Sequence, residues 1–222
     1  MTPRRVCPLL VAGVFCLVLA VVSAAQAGGR EELEHGFVCL RFAEFENALH
    51  HLQAAIASGD LSRSELVSAY SMCGDAYVSL HDLNQALANY DRALKLAEPQ
   101  NRRMRAKLHL KRGKVWIKKG EYQRAIADLN RSLALDPHQA MAYYYRGTAW
   151  RLQRQFSRAV ADYTRAIRQQ KNPSFYYHRS QAYTRMGQID KAVADMETAV
   201  RLSPHRRQYR TRLEYLKSLR ER

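Results

Sequence analysis

One spacing limits what this chain can fold into. Gly113, Gly147 and Ser180 stand 34 and 33 residues apart, and the residues around them recur with them. Three residues on come Trp116, Trp150 and Tyr183. Ala125, Ala159 and Ala192 form a further column, then Leu129, Tyr163 and Met196 four later, then Ser132, Ala166 and Ala199 three beyond those. Pro137, Pro173 and Pro204 are expected to close each copy. Offsets of three and four place residues on one helix face. Small residues such as Gly113 and Ala125 let two antiparallel helices approach closely, and a large apolar residue at 129 fills the seam. Proline cannot continue a helix interior, so it marks unit boundaries. One such pair cannot bury its own apolar face, whereas stacked pairs can. The period therefore predicts an all-α solenoid.

A small residue, an aromatic three later, then alanine, a large apolar residue and another small one: this order resembles the tetratricopeptide repeat (TPR). The resemblance implies a TPR superhelical solenoid of about five helix-turn-helix repeats. Three copies fall over 106–139, 140–172 and 173–206. Gly74, Tyr77, Ala86, Tyr90 and Ala93, with Pro99 near the end, mark a fair copy over 67–100. Gly36, Cys39, Ala48, Leu52 and Ala55 mark a degenerate one over 29–62. Gly36 to Gly74 is 38 residues and Gly74 to Gly113 is 39, and the extra residues are expected in turns around Gly59-Asp60-Leu61 and Gln100-Asn101-Arg102. Ser62 and Glu65 fit a capping box. Over 207–220, Tyr209, Leu213, Leu216 and Leu219 share one face, with Arg207, Arg210, Arg212, Lys217 and Arg220 around the rest. That pattern predicts a C-terminal cap helix on the last repeat, with a membrane-surface helix as the competing reading. No long linker divides residues 28–222, which read as one domain.

Residues 1–27 read as a signal peptide. Arg4 and Arg5 supply the positive end, Val6 to Ala25 carry no charge, and Ala25-Gln26-Ala27 offers a small-x-small cleavage site. The sequence thus predicts an exported bacterial protein, periplasmic or secreted. An uncleaved N-terminal membrane anchor is the alternative, because twenty uncharged residues can span a bilayer.

No catalytic signature stands in the chain. Gly113-Lys114 lacks the flanking residues of a phosphate loop, and there is no Gly-x-Ser-x-Gly, His-Glu-x-x-His or paired-Cys spacing. No cofactor and no metal are expected, and the neighbours His50 and His51 point to different parts of a helix surface. Cys39 and Cys73, on first helices of adjacent units, are a possible disulfide or two small core thiols. Arg112, Arg146 and Arg179 each precede the glycine column, and Asp128, Asp162 and Asp195 each follow sixteen residues later. Repeat two has Cys73 and Asn89 at those places, and repeat one has His35 and His51. Both charges occur together or not at all, which predicts structural ion pairs between the helices of one repeat.

Charge carries the functional information. The whole chain is at +16. Residues 28–100 hold five Lys/Arg against eleven Asp/Glu, and residues 101–222 hold twenty-nine against nine, so the C-terminal half carries a net +20. Such a field selects partners and not folds. In the family resembled here, first helices line a concave groove. The corresponding residues are Lys107, Lys111, Lys114 and Lys118, then Tyr144, Tyr145, Thr148 and Arg151, then Tyr177, His178, Gln181 and Arg185. Lysines flanked by tyrosines suit a protein or peptide with an acidic segment, while a solvated helix face is the plainer reading. The Asn and Arg positions of the chaperone-binding carboxylate clamps are not reproduced. These features predict a non-enzymatic interaction scaffold of the cell envelope. A nonspecific binder of an anionic envelope polymer or membrane surface is the alternative, and nucleic acid conflicts with export.

Overall fold

The computed structural model describes residues 28–221, so the proposed signal segment lies outside the described residues. Among these residues there are eleven α-helices and no strand. They form five antiparallel pairs: α1 (Gly29–Arg41) with α2 (Phe45–Ala57), α3 (Arg63–Ser79) with α4 (Leu83–Leu96), α5 (Arg102–Lys118) with α6 (Tyr122–Leu135), α7 (Ala140–Leu152) with α8 (Phe156–Gln169), and α9 (Pro173–Arg185) with α10 (Ile189–Leu202). An eleventh helix, α11 (Arg207–Arg220), packs on α10. No helix of the described residues is long and apolar enough to cross a membrane.

The recurring columns are the inside of each pair. Ala48, Ala86, Ala125, Ala159 and Ala192 are fully buried, as are Leu52, Leu129, Tyr163 and Met196. Burying a side chain such as Leu52 or Leu129 contributes about 1.5–3 kcal/mol. The glycines set how near the helices lie. A Cβ on Gly74 would sit 2.5 Å from the Tyr90 ring, and one on Gly147 would sit 3.0 Å from the Tyr163 ring. Tyr90 cannot withdraw, because its hydroxyl donates to Asp75 Oδ1 at 2.7 Å.

The ends of the helices follow local chemistry. Ser62 and Glu65 form both halves of the capping box, with Ser62 N donating to Glu65 Oε2 at 2.8 Å and Glu65 N donating to Ser62 Oγ at 3.3 Å. Asp82 and Asn101 cap α4 and α5 in the same way from one side chain each. Each turn inside a pair contains one left-handed residue: Ala43, His81, Gly120, Arg154 and Gly187. Two sequence expectations change. Pro173 opens α9 at its first turn instead of closing the preceding unit, where its missing N–H costs no hydrogen bond. The extra residues of the earlier repeats also lie elsewhere. First helices α3 and α5 have 17 residues against 13 in α1, α7 and α9, so the insertions add about a helical turn and leave the columns in register.

The first helices touch one another along the stack, α1 with α3, α5 with α7 and α7 with α9. They make up the inner row of the superhelix, and their outward positions form its groove. The last helix seats Tyr209 and Leu216 on Val193, Met196 and Ala199.

Candidate functional site

The Arg–Asp pairs fix the helices that carry the groove. Arg146 donates from Nε and Nη2 to the two Asp162 oxygens, both at 2.7 Å. Arg179 does the same to Asp195 at 2.8 and 2.6 Å, and Arg112 to Asp128 at 2.7 and 2.6 Å. Such two-pronged contacts hold a guanidinium in one plane. The remaining Nη1 of each arginine reaches back to the preceding repeat, to Asp91, Asn130 and Thr164 in turn. Every pair therefore clamps its own two helices and the neighbouring unit. Burial pushes the Asp128 carboxyl up, but Arg112 and His109 outweigh it and hold the acid below the ordinary carboxylate range.

The lysine stripe divides on the structure. Lys111 is spent: its Nζ donates to Asp75 Oδ2 at 2.6 Å and Ser71 Oγ at 2.9 Å, tying α5 to α3. Lys107, Lys114 and Lys118 are exposed, and Lys114 Nζ stands 5.9 Å from the centre of the Tyr145 ring. The tyrosines form a chain of rings along the seam of α7, α9 and α11. Tyr144 stacks on Phe175 at 5.0 Å and meets Tyr145 edge-on at 5.0 Å, while Tyr177 lies 5.3 Å from Tyr209 and accepts from Gln208 Nε2. Burial, then the neighbouring Tyr163 and Tyr145, push the Tyr144 hydroxyl up to about 12, so it stays neutral. His178 lies between Tyr144 and Tyr177, at 5.4 and 5.1 Å. Burial and the charge of Arg151 pull its imidazole down to about 4 against the bond to Gln181. At neutral pH it adds no charge to the groove.

Positive charge concentrates beside these rings, in a cleft of about 440 Å³ lined by Arg151, Leu152, Arg154, Phe156, Gln181, Arg185 and Arg212. Four guanidinium groups face it and no acid lines it. The Nε atoms of Arg151 and Arg212 are buried without a hydrogen-bond partner. Arg212 is held by a bond from Nη2 to Thr184 Oγ1 at 3.2 Å. Sequence reasoning placed Arg151 and Arg185 in the groove but missed Arg154 and Arg212. Arg154 comes from a turn and has a left-handed backbone, φ 61°. Ala43 and His81 share that conformation, so the strain belongs to the turn and does not single out the arginine. A second cavity of about 330 Å³, between Ser62–Val67 and Leu96–Met104, gathers no comparable charge: Arg63 and Glu98 balance one another.

Cys39 and Cys73 are both free thiols. Cys73 packs with Leu49, Leu52 and Ala76 toward α2, and burial pushes its thiol up to about 12, so it is a core residue and a poor nucleophile. The His50 and His51 rings meet edge-on at 5.5 Å, and His51 turns toward Glu32 and His35 on α1.

Two models of the tetratricopeptide repeat match the chain, one over residues 72–140 and again over 110–174, the other over 173–206. A search of curated protein sequences returns no match. Among solved structures, the chain is similar to residues 41 to the end of MamA from Desulfovibrio magneticus RS-1, at 22% identity and a TM-score of 0.67, covering 81% of this chain and 97% of that one. It is also similar to YrrB, described as a TPR protein with an unusual peptide-binding site, at 17% identity and a TM-score of 0.65, covering 90% and 97%. The first TPR of Spaghetti (RPAP3), bound to the HSP90 peptide SRMEEVD, matches at 20% identity and a TM-score of 0.53, over 54% of this chain and 96% of that one. At these identities the likeness is one of fold. Together with the repeat models and the five helix pairs, it establishes that this chain belongs to the tetratricopeptide repeat family.

Proposed function

We propose that this protein is a non-enzymatic scaffold of the cell envelope that takes an acidic segment of a partner protein into the groove of its last three repeats. The observation that carries this reading is the cleft of Arg151, Arg154, Arg185 and Arg212, which has no acid of its own. Carboxylates pair with guanidinium forks in a defined geometry, so the cleft orients its ligand as well as attracting it. Exposed Lys107, Lys114 and Lys118 extend the positive field along α5. That YrrB has a peptide-binding site, and that the Spaghetti repeat holds a peptide ending in Glu-Glu-Val-Asp, supports a peptide ligand. Export through the segment 1–27 is part of the same proposal and accounts for the envelope setting.

The exposed arginines of α11, with the net +20 of residues 101–222, favour a second reading, adhesion to an anionic polymer or membrane surface. Fluorescence anisotropy separates the two. A labelled Asp/Glu-rich peptide should bind the full chain saturably and one-to-one, and its Asn/Gln counterpart should bind at least about tenfold more weakly, a difference of ~1.4 kcal/mol. Equal binding of the two peptides would refute the acidic groove. Binding of many peptides per chain, lost completely at high salt, would favour the polymer reading.

A further inference from the structure

The first repeat lacks the Arg–Asp clamp and has two imidazoles in its place. His35 stands where Arg112, Arg146 and Arg179 stand in later repeats, and His51 stands where Asp128, Asp162 and Asp195 stand. Neutral imidazoles cannot form the two-pronged ion pair that closes repeats three to five. Glu32 enters from one turn earlier on α1, and its Oε2 lies 2.7 Å from His51 Nδ1. The His35 and His51 rings meet edge-on at 5.4 Å. One ligand atom from each of Glu32, His35 and His51 lies within 4.8 Å of the other two.

We propose that these three side chains bind a divalent transition-metal ion of the zinc class, which clamps α1 to α2 as the ion pairs do in the later repeats. Two imidazole nitrogens and one carboxylate oxygen form a donor set that zinc accepts, with a fourth position left for water. Glu32 and His35 are three residues apart and so lie on one face of α1, while His51 faces them from the antiparallel α2. The helices between them are held at fixed distance. Gly36 follows His35, Leu52 follows His51, and a Cβ on Gly36 would stand 2.7 Å from the Leu52 side chain. The two backbones thus lie close together, and the donors, already within 4.8 Å of one another, come to the ~3.3 Å separations of a tetrahedral ion with ~2.0 Å bonds by side-chain rotation. His35 is exposed and the other two are half-buried, which leaves the site open to an entering ion. Its place on the acidic half of the chain suits a cation, since residues 28–100 carry eleven acids against five bases. The soft preference of imidazole selects zinc, nickel or copper over magnesium or calcium.

Calorimetric titration of the full, untagged chain with ZnCl₂ tests this, with Co²⁺ absorbance reporting the coordination geometry. One equivalent should bind, cobalt should give the intense visible bands of a tetrahedral site, and zinc should raise the Tm in a way that EDTA reverses. His35→Gln removes an exposed ligand without disturbing the core and should weaken zinc by more than about tenfold, the loss that even an outer-shell change produces. His205→Gln, an exposed histidine in the turn before α11, should leave the affinity unchanged. No saturable binding in the wild type, or equal affinity in wild type and His35→Gln, would overturn the proposal and leave Glu32–His51 as a simple helix-to-helix hydrogen bond.

Discussion

Arg146→Leu will cost the fold about 3–5 kcal/mol, and adding Asp162→Leu will return a large part of that loss. Asp162 is 2% exposed, and both of its oxygens accept from Arg146. Without the guanidinium the buried carboxylate is left with only Arg165 Nη1, at 3.5 Å, as a partial substitute. Removing both charges replaces the pair with apolar volume, which a core accommodates far better than one unpaired ion. Urea denaturation of the four members of the cycle measures the coupling. Strictly additive losses would show that the two side chains do not depend on each other. The equivalent pair at Arg112–Asp128 adds a pH signature. The Asp128 carboxyl is held below its ordinary value, so its contribution is present above the unfolded carboxylate range and disappears as pH falls through the lowered one.

The second large effect concerns binding. Arg151→Glu with Arg185→Glu should weaken an acidic peptide by about a hundredfold, ~2.7 kcal/mol, because it removes two of four guanidinium forks and sets two charges of the peptide's own sign in the cleft. Arg210→Glu with Arg220→Glu changes the net charge by the same amount on exposed positions of α11 and should cost less than about fivefold. Arg212 does not belong in that control, since it lines the cleft. The gap between the two double variants should survive at high salt, where long-range attraction is screened beyond ~8 Å or less. Equal losses from both would mean that net charge alone binds the ligand.

The fold was legible because its packing is written once per repeat. Gly74, Gly113 and Gly147 recur because a Cβ would strike Tyr90, Leu129 or Tyr163, and that spacing is visible without coordinates. The Arg–Asp pairs were legible for the same reason, since both charges recur in step. The groove was legible only in outline. Lys111 matches its neighbours in the stripe, yet Asp75, 36 residues back on another helix, neutralises it. Tyr144 and Tyr177 sit at outward positions of repeats four and five but are claimed by Phe175 of the next repeat and Tyr209 of α11, so their alanine variants would disturb packing as well as any ligand. Arg154 and Arg212 reach the cleft from a turn and from α11, and their convergence depends on the superhelical curvature. Repeat one hid its histidine cluster because Glu32 occupies a place held by Tyr70, His109, Tyr143 and Tyr176 elsewhere, so no column announced it. The possible Cys39–Cys73 bridge rested on neighbouring helices alone, and Cys73 faces the core beside Leu52.

Site-specific photo-crosslinking tests the central claim most directly. Benzoylphenylalanine placed at Leu152 or Gln181, both lining the arginine cleft, reports the inner row of helices. The same probe at Ala161 on α8 or Ala194 on α10 reports exposed positions of the outer row. If the last three repeats take an acidic segment into their groove, a bound Asp/Glu-rich peptide will crosslink from Leu152 and Gln181 and not from Ala161 or Ala194, and excess unlabelled peptide will abolish the product. Equal crosslinking from both rows would contradict the groove and reduce the +20 half of the chain to a sticky surface.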